Sequence, residues 1–319
     1  MGTLIYKLLL RAQGPAYRFW TTLRSLLIRL QIDPVCTLLI NDRLLRLPLS
    51  HNLPLYQKQF PLYDHLPVRL SRYIHQTYGY LKCIDVGANI GDSIAAFFAH
   101  ETDAFLAIEP NPNFRNYLVA NWGQNSNVVI EAVICSATHA QTTFAISEHL
   151  GTAAFTPAAT GTYIESKPLD LLVQEQQRFV DANVLKIDTD GHDFAVIAGG
   201  TEFIARCHPA ILFESDAFAN SAYVEECLTT LQLLQRSGYN HCLIYDNFGY
   251  LLGKYSLHTL DAISSLLFYQ LTSPFFYYDI LVMRDEDLLP FFNTEAQFAV
   301  DRMSDASLRH TAMMAATYA

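Results

Sequence analysis

A chain of 319 residues, 51% hydrophobic and 16% charged, is long enough to bury the core of one large α/β domain with extensions. Its net charge of −10 excludes general affinity for nucleic acid, which requires a cationic surface. Six cysteines are scattered without a CxxC pair, which reads as free thiols in a reducing, cytoplasmic setting and offers no structural zinc site.

The charge is uneven. Residues 1–32 hold Lys7, Arg11, Arg18, Arg24 and Arg29 and no acid, so the net −10 of the whole becomes −15 over the remainder. Ala16, Trp20, Leu23, Leu27 and Leu30 fall on one helical face, with Arg18, Thr22, Ser25 and Arg29 opposite. Gly14-Pro15 separates this helix from a shorter apolar piece, Leu4–Leu10. A basic amphipathic helix can lie on an anionic membrane surface, peripheral to the bilayer. It can also dock on its own domain or on a second subunit in a homodimer, and docking is the preferred reading. Tyr6 breaks the myristoylation pattern, no window is apolar for long enough to span a bilayer, and no signal peptide is evident.

Residues 36–49 read as a hairpin, two apolar runs around Asn41-Asp42. A connection punctuated by Pro48, Pro54, Pro61 and Pro67 leads to a helix over 64–78. Then comes KCIDVGANIGD, residues 82–92, an apolar run ending in Asp85, a turn and a helix start. Gly87 and Gly91 admit positive φ or close backbone approach, and Asn89 tolerates left-handed geometry. Strand, tight turn and helix open a βαβ unit, with the turn's N–H groups expected at the mouth of a parallel sheet.

Further strands are expected at 104–110, 127–136, 184–191, 210–216, 241–247 and 277–283. Helices are expected at 113–122, 167–180, 193–207 and 221–237, with an inserted hairpin over 142–156. Such alternation calls for a parallel sheet covered on both faces, with the last two strands as antiparallel neighbours. The tail from Asp285 is weakly patterned and reads as loose helices. The expected organisation is therefore 1–32 as a basic helical segment, 33–80 as a hairpin and helical lead-in, 81–285 as the main domain, and 286–319 as a loosely structured tail.

Asp85, Glu109 and Asp188 each end an apolar run at the carboxyl edge of the expected sheet. Glu109, after the second strand, stands where such folds bind ribose hydroxyls. The neighbouring acids favour a cationic ligand and repel a pyrophosphate. A dinucleotide also needs a GxGxxG turn, whereas GANIG followed by Asp92 stands here. Of the two cofactors, sulfonium-bearing S-adenosylmethionine is preferred over NAD.

The chain resembles the FkbM-type family of S-adenosylmethionine-dependent methyltransferases. The resemblance rests on IDVGANIGD (84–92), AIEPNP (107–112), KPLDLL (167–172), LKIDTDGHDFAVIAGG (185–200) and PAILFES (209–215), and extends over about residues 50–285. Where the family reads LKIDVEG followed by a residue and an acid, this chain has Asp190 in place of the glutamate, and Asp193 as the second acid. The resemblance implies a class I methyltransferase (Rossmann-like) α/β fold: a seven-stranded, mostly parallel sheet with helices on both faces and an antiparallel last strand. It also implies O-methylation of a saccharide or secondary-metabolite hydroxyl, and it places Glu131 near the adenine.

The cofactor residues expected are thus Asp85, Gly87, Asn89, Gly91, Glu109, Glu131 and Asp188. An aliphatic hydroxyl is a weak nucleophile, so a positioned base helps; Asp190, His192 and Asp193 are the candidates. His192 and Asp193 are also explicable as first-turn helix residues, and Asn111 as a helix cap. Glu214 with Asp188 and Asp190 could gather a divalent ion, but no metal is expected. Lys186 reads as an ion-pair partner of these acids. Aromatics after residue 240 (Tyr245, Phe248, Tyr250, Phe275, Phe276, Tyr277 and Tyr278) receive no role. The other readings are a methyltransferase-fold binding module without catalysis and, further behind, a nicotinamide dehydrogenase.

Overall fold

Eight strands form the main sheet of the computed structural model, which describes residues 1–218, 220–273 and 277–318. They are β1 (Lys82–Val86), β2 (Ala104–Ile108), β3 (Val128–Glu131), β4 (Val184–Ile187), β5 (Ala210–Ser215), β6 (His241–Asp246), β7 (Leu251–Ser256) and β8 (Tyr278–Val282). Their spatial order is β7-β6-β8-β5-β4-β1-β2-β3. β8 runs antiparallel between β5 and β6, while β1 pairs in parallel with both β2 and β4. This is the class I methyltransferase arrangement, with β7 added as an antiparallel edge strand.

Successive side chains alternate between two packed faces. Cys83, Phe105 and Leu212 enter one core, which also receives Leu70, Ile94, Leu118 and Phe291. Ile84, Leu106 and Phe213 enter the other, with Leu172, Ile197, Phe203 and Leu231. Nearly uninterrupted apolar strands are what burial on both faces requires.

Several boundaries differ from the sequence reading. The run 127–136 is not one strand: after β3 the chain turns, and Ile134–Ser136 joins a separate four-stranded sheet with Thr162–Pro168, Ala140–His149 and Thr152–Pro157. The expected hairpin is therefore the centre of a larger insertion. The helix over 167–180 begins only at Leu169, because Thr162–Pro168 is extended. Gly199-Gly200 splits the next helix into Asp193–Ala198 and Thr201–Cys207; a Cβ on Gly199 would lie 2.1 Å from the Ser136 carbonyl oxygen. β7 and the helix Asp261–Thr272 intervene between β6 and β8, where no helical crossover was legible.

The tail is also better ordered than its pattern implies. Asp285–Asp301 is a continuous helix that buries Leu288, Phe291, Phe292, Ala296 and Val300. Its Glu295, 1% exposed, accepts two bonds from Arg69 and one from Tyr245.

The N-terminal helices Gly2–Arg11 and Gly14–Arg29 lie on the domain. Ile5, Tyr6 and Leu9 are buried, but in the second helix the residue that buries is Arg24. Its guanidinium donates to the carbonyls of Leu49 and Ser50 and to Asn52 Oδ1. Trp20 and Leu27 pack partly on the core, whereas Phe19, Leu26 and Leu30 stay exposed. No helix among the described residues is long and apolar enough to cross a membrane.

Candidate active site

The strand order reverses between β1 and β4, and such a switch point opens a crevice beyond the carboxyl ends of the strands. A cavity of about 870 Å³ lies there, within the range of small-molecule sites. Its walls bring together Gly87, Asn89, Glu109, Asp188, Asp190 and His192 from the expected set. Asp92, Lys186, Glu214, Asp279 and Tyr277 join them, as do the apolar Val86, Ile108, Phe114 and Ile134.

The glycine turn adopts the expected geometry, with Gly87, Asn89 and Gly91 at φ of 82°, 49° and 84°. Its amides, however, are spent within the protein. Gly87 and Ala88 both donate to the Ile108 carbonyl, Asn89 to Glu109 Oε2, and Gly91 to the Ala88 carbonyl. A Cβ on Gly87 would fall 1.8 Å from the Asp188 carbonyl oxygen, so this glycine lets β1 and β4 meet closely. Gly91 does the same for Trp122, whose indole donates to the Gly91 carbonyl, and it stands outside the cavity wall.

Glu109 is 5% exposed and accepts from the Asn89 and Asn111 amides at 2.8 and 2.7 Å. Burial pushes its pKa up to about 7, against the pull of these two bonds. Asn111 caps the helix Pro112–Trp122 by accepting from Asn113 and Phe114, as its position suggested.

Lys186 is the hub of the acids. Its ammonium lies 3.0 Å from Asp188 and 3.7 Å from Asp85. Burial works against its charge, but Asp188, Asp85 and Asp92 more than offset this and hold its pKa well above the usual value. Asp85 itself is buried behind the cavity wall, its pKa raised by burial to about 6. Its place is beneath the site, as the lysine's counter-ion. Glu131, at the end of β3, accepts from Gln176 and likewise does not line the cavity.

Asp190 sits at φ +51°, in the left-handed region that aspartate enters more readily than most residues. Its Oδ2 accepts from the Ala153 amide, and burial, with Asp188 adding repulsion, lifts its pKa to about 7. His192 is at the N-cap of the helix Asp193–Ala198 and reaches the cavity from its exposed side. Asp193 is turned inward. It accepts from the Thr189 amide and hydroxyl and from the Glu214 amide, a bracing role that leaves it out of the cavity wall.

Two features were missed by sequence reasoning. Residues 150–153, the tip of the inserted hairpin, line the cavity from outside the sheet. So does His51, from the lead-in segment. The only local sign of His51 was the polar His51-Asn52 pair before Leu53-Pro54, which opens a short helix, Leu53–Gln59. Phe248 and Tyr277 reach the cavity, Tyr245 and Tyr278 are core residues, Tyr250 is exposed, and Phe275 and Phe276 lie outside the described residues. Glu214 shares the wall with Asp188 and Asp190, but no group of three or more metal-ligating side chains is placed to hold an ion among the described residues.

The strand order, with a cavity at its switch point, is that of the class I methyltransferase fold. Residues 85–240, just under half of the chain, match the family model of the methyltransferase FkbM domain. Among solved structures, the chain is similar to a methyltransferase FkbM from Methylobacillus flagellatus KT, with 14% identity and a TM-score of 0.37 over 60% of this chain and 55% of that one. The chain thus spans little more than half the length of that protein. A SAM-dependent O-methyltransferase from Thermotoga maritima gives 12% identity and 0.35 over 68% and 65%. A plantazolicin methyltransferase in complex with SAH gives 9% and 0.36 over 72% and 87%. At these scores the likenesses add nothing on substrate. No curated protein matches the sequence.

Proposed function

We propose that this protein is an S-adenosylmethionine-dependent O-methyltransferase acting on a hydroxyl of a saccharide or secondary metabolite. The observation that carries the reading is the charge of the cavity wall. Glu109, Asp188, Asp190, Glu214 and Asp279 line it together with Lys186, and no arginine lines the cavity among the described residues. Such a wall suits a cationic sulfonium and opposes a pyrophosphate.

When bound, S-adenosylmethionine supplies a methyl group made electrophilic by positively charged sulfur. Glu109 retains lone pairs beyond the two amides it accepts, and these would take ribose hydroxyls. Asp188 would hold the positive charge. Asp190, with a pKa of about 7, is matched to accept the proton of an acceptor hydroxyl near neutral pH. His192 is the second candidate for that proton, and alignment of the reactants supplies the larger share of the rate.

Calorimetric titration with S-adenosylmethionine, with NAD alongside and Glu109→Ala as control, tests the reading. Binding of the sulfonium cofactor in the micromolar range, weakened in the variant, supports it and justifies screening glycan acceptors. No binding would favour a non-catalytic module, and binding of NAD alone would overturn the cofactor assignment.

A second reading concerns location. Phe19 and Leu26 are exposed on a helix that also carries Arg18 and Arg29, and Leu30 is exposed at its C-cap. We propose that this helix touches anionic membrane surfaces peripherally. Equal sedimentation of the native chain and a Phe19→Ser/Leu26→Ser variant with anionic liposomes would exclude it.

A further inference from the structure

The N-terminal helices are connected to the glycine turn through one buried side chain. Tyr6 donates its hydroxyl to the His51 carbonyl, and Arg24 donates to the carbonyls of Leu49, Ser50 and His51 and to Asn52 Oδ1. The segment 49–52 is thereby held from the outside. On its inner side His51, 5% exposed, meets the cavity wall.

The hydrogen bonds fix which nitrogen of His51 carries its proton. Nδ1 accepts from the Leu53 amide at 3.3 Å, so in the neutral ring the proton is on Nε2, 3.4 Å from Asn89 Oδ1. Asn89 in turn donates through Nδ2 to the Gly151 carbonyl at 2.6 Å, and its backbone amide binds Glu109. The Asn52 amide meets the Leu150 carbonyl. His51 also packs against Gly151, where an added Cβ would lie 3.2 Å from the ring. The ring is kept neutral by burial, which lowers its pKa to about 4, with Arg24 acting in the same sense and Asn89 and Asp33 opposing.

We propose that His51 is a positioning residue, through which the N-terminal helices hold the Asn89 side chain, and with it the glycine turn and the hairpin tip, in the arrangement that receives the cofactor. Residues 1–32 are on this account part of the site's framework. The side chain acts through Asn89 and Gly151 and takes no part in proton transfer. The cofactor clause rests on the function proposed above; the mechanical link does not.

The experiment is hydrogen–deuterium exchange on the full-length protein without ligand, followed by calorimetry with S-adenosylmethionine, for native chain, His51→Phe, His51→Gln and Tyr6→Phe. Loss of a buried hydrogen bond is worth up to about tenfold in a local equilibrium. In His51→Phe, amides of 86–92 and 149–153 are expected to exchange about tenfold faster, while those of β5 are unchanged and cofactor affinity falls by a similar factor. His51→Gln, which can still donate to Asn89, is expected to restore most of both. Tyr6→Phe, remote from the cavity, is expected to shift the same two segments by a smaller factor. Native exchange in both segments of His51→Phe overturns the proposal. So does a uniform rise across the chain in His51→Phe and His51→Gln, which would make His51 an ordinary core residue. If the native chain fails to bind the cofactor while exchange changes as stated, the link between helices and turn stands and the methyltransferase reading falls.

Discussion

Asp190 concentrates the chemistry at the scale of single residues. It has a left-handed backbone, a raised pKa and one satisfied oxygen, and it lines the cavity. Asp190→Asn should keep cofactor affinity within a few-fold and lower turnover by roughly 10²–10⁴. Measuring kcat and the cofactor dissociation constant side by side decides it, and unchanged turnover would pass the role to His192. Gly87→Ala tests a different constraint, since its Cβ would meet the Asp188 carbonyl and its φ is positive. Cofactor binding is expected to vanish, with stability falling by about 1–3 kcal/mol as in other strained positions. The acids at strand ends were legible because an apolar run ending in a carboxylate is visible in one dimension. His51 was not, because its partner Asn89 is 38 positions away and only tertiary packing brings them together.

Secondary-structure elements were readable where period and punctuation agreed. The hairpin around Asn41-Asp42 formed as expected because both residues accept positive φ, as a tight two-residue turn demands. The C-terminal helix was underrated because its apolar positions are interrupted by Pro290, Glu295 and other polar residues, and Glu295 buries only by pairing with Arg69. Removing one partner from a buried pair typically costs about 3–5 kcal/mol. Glu295→Ala should lower the unfolding free energy by that order in urea titration; a change within about 0.5 kcal/mol, as at an ordinary surface site, would return the tail to the loose state its pattern suggested. The break at 131–134 was hidden because VVIEAVIC is apolar apart from Glu131, and a one-dimensional pattern does not reveal a change of sheet.

For the molecule as a whole, the buried acids set the response to pH. Asp190, Glu109 and Asp279 have pKa values raised to about 7, and Asp85, Asp92 and Asp193 to about 6, each chiefly by burial. Folded chains then bind more protons than unfolded ones between about pH 4 and 7, so stability falls as pH rises through that window. His51, lowered to about 4, acts in the opposite sense, as do His65 and His192, whose pKa values burial also lowers. The Tm of the ligand-free protein should therefore rise on going from pH 8 to about 5.5; a fall would mean that these carboxyls are ionised at little cost. A cation in the cavity favours the ionised forms, so cofactor affinity should increase from pH 6 to 8 with release of protons, detectable by calorimetry in two buffers of different ionisation enthalpy. The added strand β7 has a consequence of another kind. Both margins of the sheet are blunted: β3 offers four residues, and β7 carries Gly253 and Lys254 opposite an irregularity in β6. Short, glycine-bearing and charged margins resist growth by strand addition. Strand addition by a second copy is thereby disfavoured at this sheet, and crowded or partly unfolded preparations should form few ribbon-like polymers through it.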